Sequence, residues 1–147
     1  MISKDFREFI GLLNKNDVKY LIIGGYALAI HGYPRYTNDL DIWIWVDNKN
    51  AENIVKSIKE FGFSLLDLKV KDFLKPGYVI QLGQPPNRID ILTSADGLEF
   101  DECYKSKIEI KIQNQNINFI DLENLKKNKL AVGRHQDLAD LEKLDEL

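Results

Sequence analysis

Tyr20-Leu-Ile-Ile-Gly-Gly25, followed after twelve intervening residues by Asn38-Asp-Leu-Asp-Ile-Trp-Ile-Trp-Val46, is the stretch from which the fold can be read. Tyr20-Leu-Ile-Ile23 is a short apolar run that ends directly on Gly24-Gly25, the pattern of a buried strand entering a tight turn. Tyr26 to His31 carries a small-residue helical pattern, closed by Gly32 with Pro34 just beyond. Leu40 to Val46 then alternates. Leu40, Ile42, Ile44 and Val46 share one face of a strand, while Asp39, Asp41, Trp43 and Trp45 share the other. A strand, a helix and a strand at this spacing predict helices packed on a sheet.

Working outward, Ser3 is a candidate N-cap for a helix whose apolar face is Phe6, Phe9, Ile10 and Leu13, with its exit at Asn14 to Asp17. Asp47 or Asn48 caps a second helix carrying Ile54, Val55, Ile58 and Phe61, ended by Gly62. Phe63 to Lys75 reads as a short strand followed by a short helix or loop. Tyr78 to Leu82 and Arg88 to Leu92 form paired strands around Gly83-Gln-Pro-Pro-Asn87. Lys107 to Ile112 and Ile117 to Ile120 form a second hairpin around Asn114-Gln-Asn116. From Asp121 to Leu147 the chain predicts two short helices broken at Gly133. The order of elements implies an α/β (α+β) fold with a mixed β-sheet. Residues 1–147 are expected to form a single domain, with the helical segment 121–147 packed on its core.

The chain has 147 residues, 44% of them hydrophobic and 29% charged, which excludes a disordered or collagen-like protein. A formal net charge of −3 gives no bulk attraction to nucleic acid and leaves room only for a local basic pocket. Cys103 is the single cysteine and cannot form an internal disulfide. The charged N-terminal residues show no signal-peptide core. No apolar run approaches the roughly 20 residues of a membrane helix. A cytoplasmic protein with no membrane partner is the expectation.

Gly24-Gly25, between a strand and a helix, lets backbone amides approach an anion where the helix N-terminus adds partial positive charge. The same pair is also what a plain tight turn needs. Asp39 and Asp41 lie two apart in an extended chain, so their carboxylates point the same way. Two such charges ~4 Å apart repel by about 4 kcal/mol at an effective dielectric of ~20, a cost that a shared divalent cation removes. Their alternative is a solvated cap and turn at the mouth of the strand. Asp90 is a third carboxylate embedded in an apolar strand, Ile89-Asp-Ile-Leu92. If the two strands are neighbours, Asp39, Asp41 and Asp90 make an all-oxygen site suited to Mg²⁺ or Mn²⁺. No His/Cys cluster in the sequence competes with this reading, which argues against zinc.

The run Gly24-Gly-Tyr-Ala-Leu-Ala-Ile-His-Gly-Tyr-Pro-Arg-Tyr-Thr-Asn-Asp-Leu-Asp41 resembles the signature of the polymerase-beta-like nucleotidyltransferase superfamily. The Gly-Gly variant is most similar to small stand-alone bacterial members and to nucleotidyltransferase toxins of the abortive-infection type. Lys129-Leu-Ala-Val-Gly-Arg134-His-Gln-Asp137-Leu-Ala-Asp140-Leu is similar to that toxin group's second motif, a Lys followed by an Arg and an Asp-containing helix. The resemblance implies that Gly24 and Gly25 contact nucleotide phosphates, with Arg35 and Thr37 in the same signature loop. It implies that Asp39 and Asp41 hold metal, and that Asp90 is the third carboxylate and the base toward an acceptor hydroxyl. Lys129 and Arg134 would reach the triphosphate, supported by Asp137. Arg134 and Asp137, at i and i+3, could equally be a helix ion pair. His31 is expected to pack or cap its short helix, and Trp43 and Trp45 to serve the core or a subunit contact.

The reaction implied is metal-dependent transfer of a nucleoside monophosphate from a nucleoside triphosphate to a hydroxyl on a protein, a tRNA or a small molecule. Many relatives carry a further domain that grips the acceptor, and little in this sequence beyond Ile120 is expected to serve that role. An antitoxin or helical partner chain, or a homodimer, could supply it. The contrasting expectation is a non-catalytic nucleotide- or partner-binding module of the same fold.

Overall fold

The computed structural model describes residues 2–63 and 66–146. Six strands form one mixed sheet: β1 (Tyr20–Ile23), β2 (Asp39–Ile44), β3 (Val79–Leu82), β4 (Arg88–Leu92), β5 (Ile108–Ile112) and β6 (Gln115–Phe119). Their order across the sheet is β3-β4-β2-β1-β6-β5. β2–β4 and β1–β6 are parallel, and the remaining neighbours are antiparallel. Six helices accompany them: α1 (Lys4–Lys15), α2 (Gly24–Ile30), α3 (Asn48–Phe61), α4 (Phe100–Lys105), α5 (Leu122–Val132) and α6 (His135–Glu146).

The caps follow the side-chain chemistry anticipated for them. Ser3 Oγ accepts from the Phe6 amide, and Asp47 accepts from the Asn50 amide, which decides for Asp47 over Asn48 as the cap of α3. Gly62 ends α3 with φ 109°, a conformation that excludes most side chains. Phe6, Phe9, Ile10 and Leu13 of α1 and Ile54, Val55 and Ile58 of α3 are buried against the sheet's apolar residues. Leu40, Ile42 and Ile44 point to one face of β2. On the other face Trp43, only 2% exposed, meets the Phe100 ring edge-on at 5.1 Å. Trp43 is therefore core. Trp45 is half-buried, with the Lys19 ammonium 4.5 Å above its ring.

Several expectations shift. β2 ends at Ile44, two residues before Val46. The β5–β6 turn is Gln113-Asn114, both at positive φ, so Ile112 pairs with Gln115 and the loop has two residues. Asn tolerates that left-handed conformation, and a tight primed turn suits the twist of the hairpin better than the longer Asn114–Asn116 connection. The strand expected after Phe63 falls in part on residues 64 and 65, outside the described ones; Val70–Phe73 is a 3₁₀ turn. α4 has no counterpart in the sequence reading, because six residues give too little periodicity to register. It buries Cys103, and burial pushes that thiol up to about 11, which makes it inert at neutral pH. Among the described residues, no helix is long and apolar enough to cross a membrane.

Asn50 staples α3 to the sheet. Its side chain accepts from the Lys19 amide at 2.7 Å and donates to the carbonyls of Lys19 (3.1 Å) and Trp45 (2.8 Å), the residues just outside β1 and β2. Asn50→Ala would leave the Lys19 amide and the Trp45 carbonyl without this partner in a half-buried position, while the Lys19 carbonyl keeps the Trp45 amide at 3.3 Å. A destabilisation of about 2–4 kcal/mol is expected, measured as a lower urea midpoint at unchanged slope.

Candidate active site

Sheet register assembles the site. Ile23 on β1 lies opposite Asp41 on β2, Asp41 lies beside Asp90 on β4, and Asp90 lies opposite Gln81 on β3. Residues in such a row project to the same face. The chain leaves β1 at Ile23 and turns into α2 with no intervening loop, at the point where it passes Asp41. Gly24 makes that turn at φ +70°, and a Cβ there would collide with the Asp41 carboxylate. A cavity of about 530 Å³ opens over this row. Its lining includes Gly24, Asp39, Asp41 and Asp90 from the sheet side and Lys129 and Arg134 from the α5–α6 corner.

Oxygen atoms of Asp39, Asp41 and Asp90 all lie within 4.8 Å of one another. Burial first, then the charges of Asp39 and Asp90, push the Asp41 carboxyl up to about 7; the cations Arg88 and Lys129 pull the other way. Burial also raises Asp90, against the opposing pull of Arg88. Asp90 Oδ1 is buried and accepts no aligned hydrogen bond, although Arg88 Nε lies 3.0 Å away. Three hard oxygen donors, mutually repelling and with one carboxylate oxygen unsatisfied, fit a divalent ion of the Mg²⁺ or Mn²⁺ kind.

The remaining anticipated residues divide into two groups. Thr37 and Gly25 support the floor. The Thr37 hydroxyl lies 3.1 Å from both the carbonyl oxygen and Oδ1 of Asp39, and a Cβ on Gly25 would press into Thr37 at 2.9 Å. Gly25 is thus a packing glycine beneath the loop, whereas Gly24 borders the cavity. Lys129 and Arg134 belong to a charge network at the α5–α6 corner. Asp140, wholly buried, accepts from Lys129 Nζ (2.9 Å), Gln136 Nε2 (2.8 Å) and both Nε and Nη2 of Arg35 (3.2 and 3.0 Å). Lys129 also approaches Asp137 at 3.5 Å, and Arg134 Nε donates to Asp137 at 2.7 Å. Burial opposes the ionisation of Asp137 and Asp140, yet their cationic donors hold both below the usual carboxylate range. Arg35 is therefore spent on Asp140 and does not line the cavity. Arg134, its side chain 75% exposed, combines the helix ion pair with a place on the cavity wall. His31 Nε2 donates to the Ile120 carbonyl at 2.7 Å, tying the end of α2 to the end of β6.

Two residues of the site were given no role of their own by the sequence. Arg88 sits two positions before Asp90 on the same strand face, a signal available from alternation alone. Asp140 follows Asp137 by three residues on a helix rich in acids, and nothing in that spacing separates a buried acid from a solvated one.

Across residues 2–145 the chain matches the family described as "Nucleotidyltransferase of unknown function (DUF6036)". It belongs to that nucleotidyltransferase family. Solved structures agree in fold. A nucleotidyltransferase candidate from Thermotoga maritima is 19% identical at a TM-score of 0.60, with 96% of this chain and 91% of that one covered. An antigenic nucleotidyltransferase-like protein from Paracoccidioides brasiliensis is 15% identical at a TM-score of 0.58, covering 95% and 74%. The lincosamide antibiotic adenylyltransferase LnuA, solved with lincomycin bound, is 12% identical at a TM-score of 0.55, covering 99% and 97%. No curated protein matches the chain. The mixed sheet of this nucleotidyltransferase is thus that of its structural relatives.

A carboxyl raised in the folded state binds a proton that the unfolded chain has released. Stability in the metal-free protein should therefore fall as pH rises from about 4, the unfolded carboxylate value, to the Asp41 value of about 7, and level off above it. Asp137 and Asp140, held low, lose their contribution only below that window. With EDTA present, the melting temperature is expected to be higher at pH 5.5 than at pH 8, and Asp41→Asn should flatten most of that difference.

Proposed function

We propose that this nucleotidyltransferase moves a nucleoside monophosphate from a nucleoside triphosphate to an acceptor hydroxyl. The observation that carries the reading is the convergence of Asp39, Asp41 and Asp90 on one sheet face, opposite Lys129 and Arg134 across a single cavity. Acids on one wall and cations on the other suit a substrate that is itself dipolar, a divalent metal ion on a polyphosphate.

Asp39, Asp41 and Asp90 would hold Mg²⁺ or Mn²⁺, which when bound supplies charge neutralisation for the phosphates and for the oxygens entering and leaving phosphorus. Asp90, raised by burial, takes the proton of the acceptor hydroxyl. The hydroxyl oxygen forms a bond to the α-phosphorus, the α–β phosphoanhydride bond breaks, and pyrophosphate departs with the electron pair. Arg134 faces the departing charge from the rim. Lys129, already balanced by Asp137 and Asp140, acts as a fixed hydrogen-bond donor on the wall more than as a free charge. Gly24 allows the α2 backbone to come against the phosphates, while Gly25 and Thr37 hold Asp39 in place.

The acceptor is a protein, a tRNA or a small molecule; a lincomycin-bound adenylyltransferase among the fold relatives is the reason to include small molecules in the panel tested. The resemblance to abortive-infection toxins would make growth arrest on expression, relieved by a partner chain, the sign of a cellular acceptor. A homodimer is the other route by which the acceptor surface could be completed.

The test separates binding from chemistry. In the wild type, Mn²⁺ with a nucleoside triphosphate is expected to raise the melting temperature through native-state binding, and Asp41→Asn should lose most of that rise. Asp90→Asn should reduce pyrophosphate release across the acceptor panel by roughly 10²–10⁴-fold with a modest change in triphosphate affinity. Arg134→Gln should weaken that affinity instead. Near-normal turnover in Asp90→Asn would overturn the three-carboxylate mechanism, and triphosphate binding with no release on any acceptor would establish the binding module.

A further inference from the structure

The carboxylates of the active site already have a cation among them. Arg88 opens β4 in register with Asp39 and projects along the same face as Asp90, two residues on. Its Nη2 lies 3.0 Å from Asp39 Oδ2 and 3.2 Å from Asp90 Oδ2, and its Nε 3.0 Å from Asp90 Oδ1. Asp39 Oδ1, meanwhile, stands 3.1 Å from the Thr37 hydroxyl. Both oxygens of Asp90 and one of Asp39 are thus in contact with the guanidinium, within the same cluster of carboxylates that includes Asp41.

We infer that Arg88 is a tethered counter-cation of the metal-free site, a positioning residue that holds Asp39 and Asp90 together and that an incoming divalent ion must displace. The inference rests on reading the triad as a metal site. A guanidinium spreads one charge over a planar fork and satisfies two carboxylates at once, so it can stand in for a metal without matching its charge. Asp41, deeper in the row, receives no comparable contact. Its position leaves the site incompletely neutralised by Arg88 and selective for a stronger cation. Displacement from Asp39 leaves the guanidinium on the cavity wall, where Arg88 already contributes to the lining and where it can meet an anionic substrate. The residue therefore sets how weakly the bare ion binds.

Isothermal calorimetry with Mn²⁺ alone, on wild type, Arg88→Gln and Arg88→Lys, tests this, together with melting temperatures in EDTA. A divalent ion and a guanidinium ~6 Å apart repel enough, even at the dielectric of water, for about a tenfold change in affinity. Arg88→Gln is expected to bind Mn²⁺ at least about tenfold more tightly than wild type, yet to melt at a lower temperature in EDTA. Arg88→Lys, which keeps the charge and loses the fork, should stay within a few-fold of wild-type affinity and so covers the case in which the glutamine variant fails to fold: a lysine variant tightened as strongly as expected for glutamine would sink the charge argument. A merely structural arginine would lower melting temperatures without tightening Mn²⁺. Equal or weaker Mn²⁺ binding in Arg88→Gln overturns the inference alone. Absence of Mn²⁺ binding in all three proteins overturns it along with the metal reading of the triad.

Discussion

The parallel pairing of β2 with β4 is the constraint on which the rest depends. It is a crossover pairing, joining strands separated by α3 and the β3 hairpin, and it sets Asp41 directly beside Asp90. Adjacent strands stand about 4.8 Å apart, so the separation of the two carboxylates is fixed by backbone hydrogen bonds. Side-chain packing does not have to define it. The electrostatic strain of that arrangement is then met locally: Arg88 faces two acids, Thr37 the other oxygen of Asp39, and Asp41 keeps its proton up to near-neutral pH. Apolar burial in α1, α3 and the sheet supplies the stability against which this local cost is held.

A second, independent arrangement governs the opposite wall. Asp140 has no exposure to water and gathers donors from the loop before β2, from α5 and from α6. Buried acids are tolerated when their charge is matched and their lone pairs are satisfied, and here both conditions hold. The result is that the helical corner is anchored to the loop that carries Asp39. Both walls of the cavity are thereby referred to the same short segment, Arg35 to Asp41.

The sheet was largely legible because its strands alternate or are uniformly apolar, and because Gly32, Gly62 and Gly133 punctuate the helices. The three carboxylates stood out for the same reason: an acid within Ile89-Asp-Ile-Leu92 conflicts with its surroundings, and the conflict is informative. What escaped reading had no such contrast. Arg88 at the edge of a strand looks like an ordinary solvated arginine until Asp39 is known to lie across from it. Asp140 looks like one more acid on an acidic helix. Arg35 had a motif position that suggested phosphate, but the buried carboxylate of Asp140 nearby is a stronger attractor than a solvated ligand site. The Gln113-Asn114 turn shows that a cluster of turn-forming residues locates a hairpin to within a residue or two, while register across Ile108–Phe119 decides which pair forms the corner.

The loopless junction from Ile23 to Gly24 bears on where the chain can change length. A residue inserted there would rotate α2 by about 100° and advance it by about 1.5 Å, carrying the backbone away from Asp41 and the His31 contact with Ile120 out of register. Deletions would act in the same way with opposite sense. The Gly83–Asn87 and Gln113–Asn114 corners join antiparallel neighbours and bear on no such alignment. A change in chain length is thus better accommodated at the sheet's outer hairpins than at its centre.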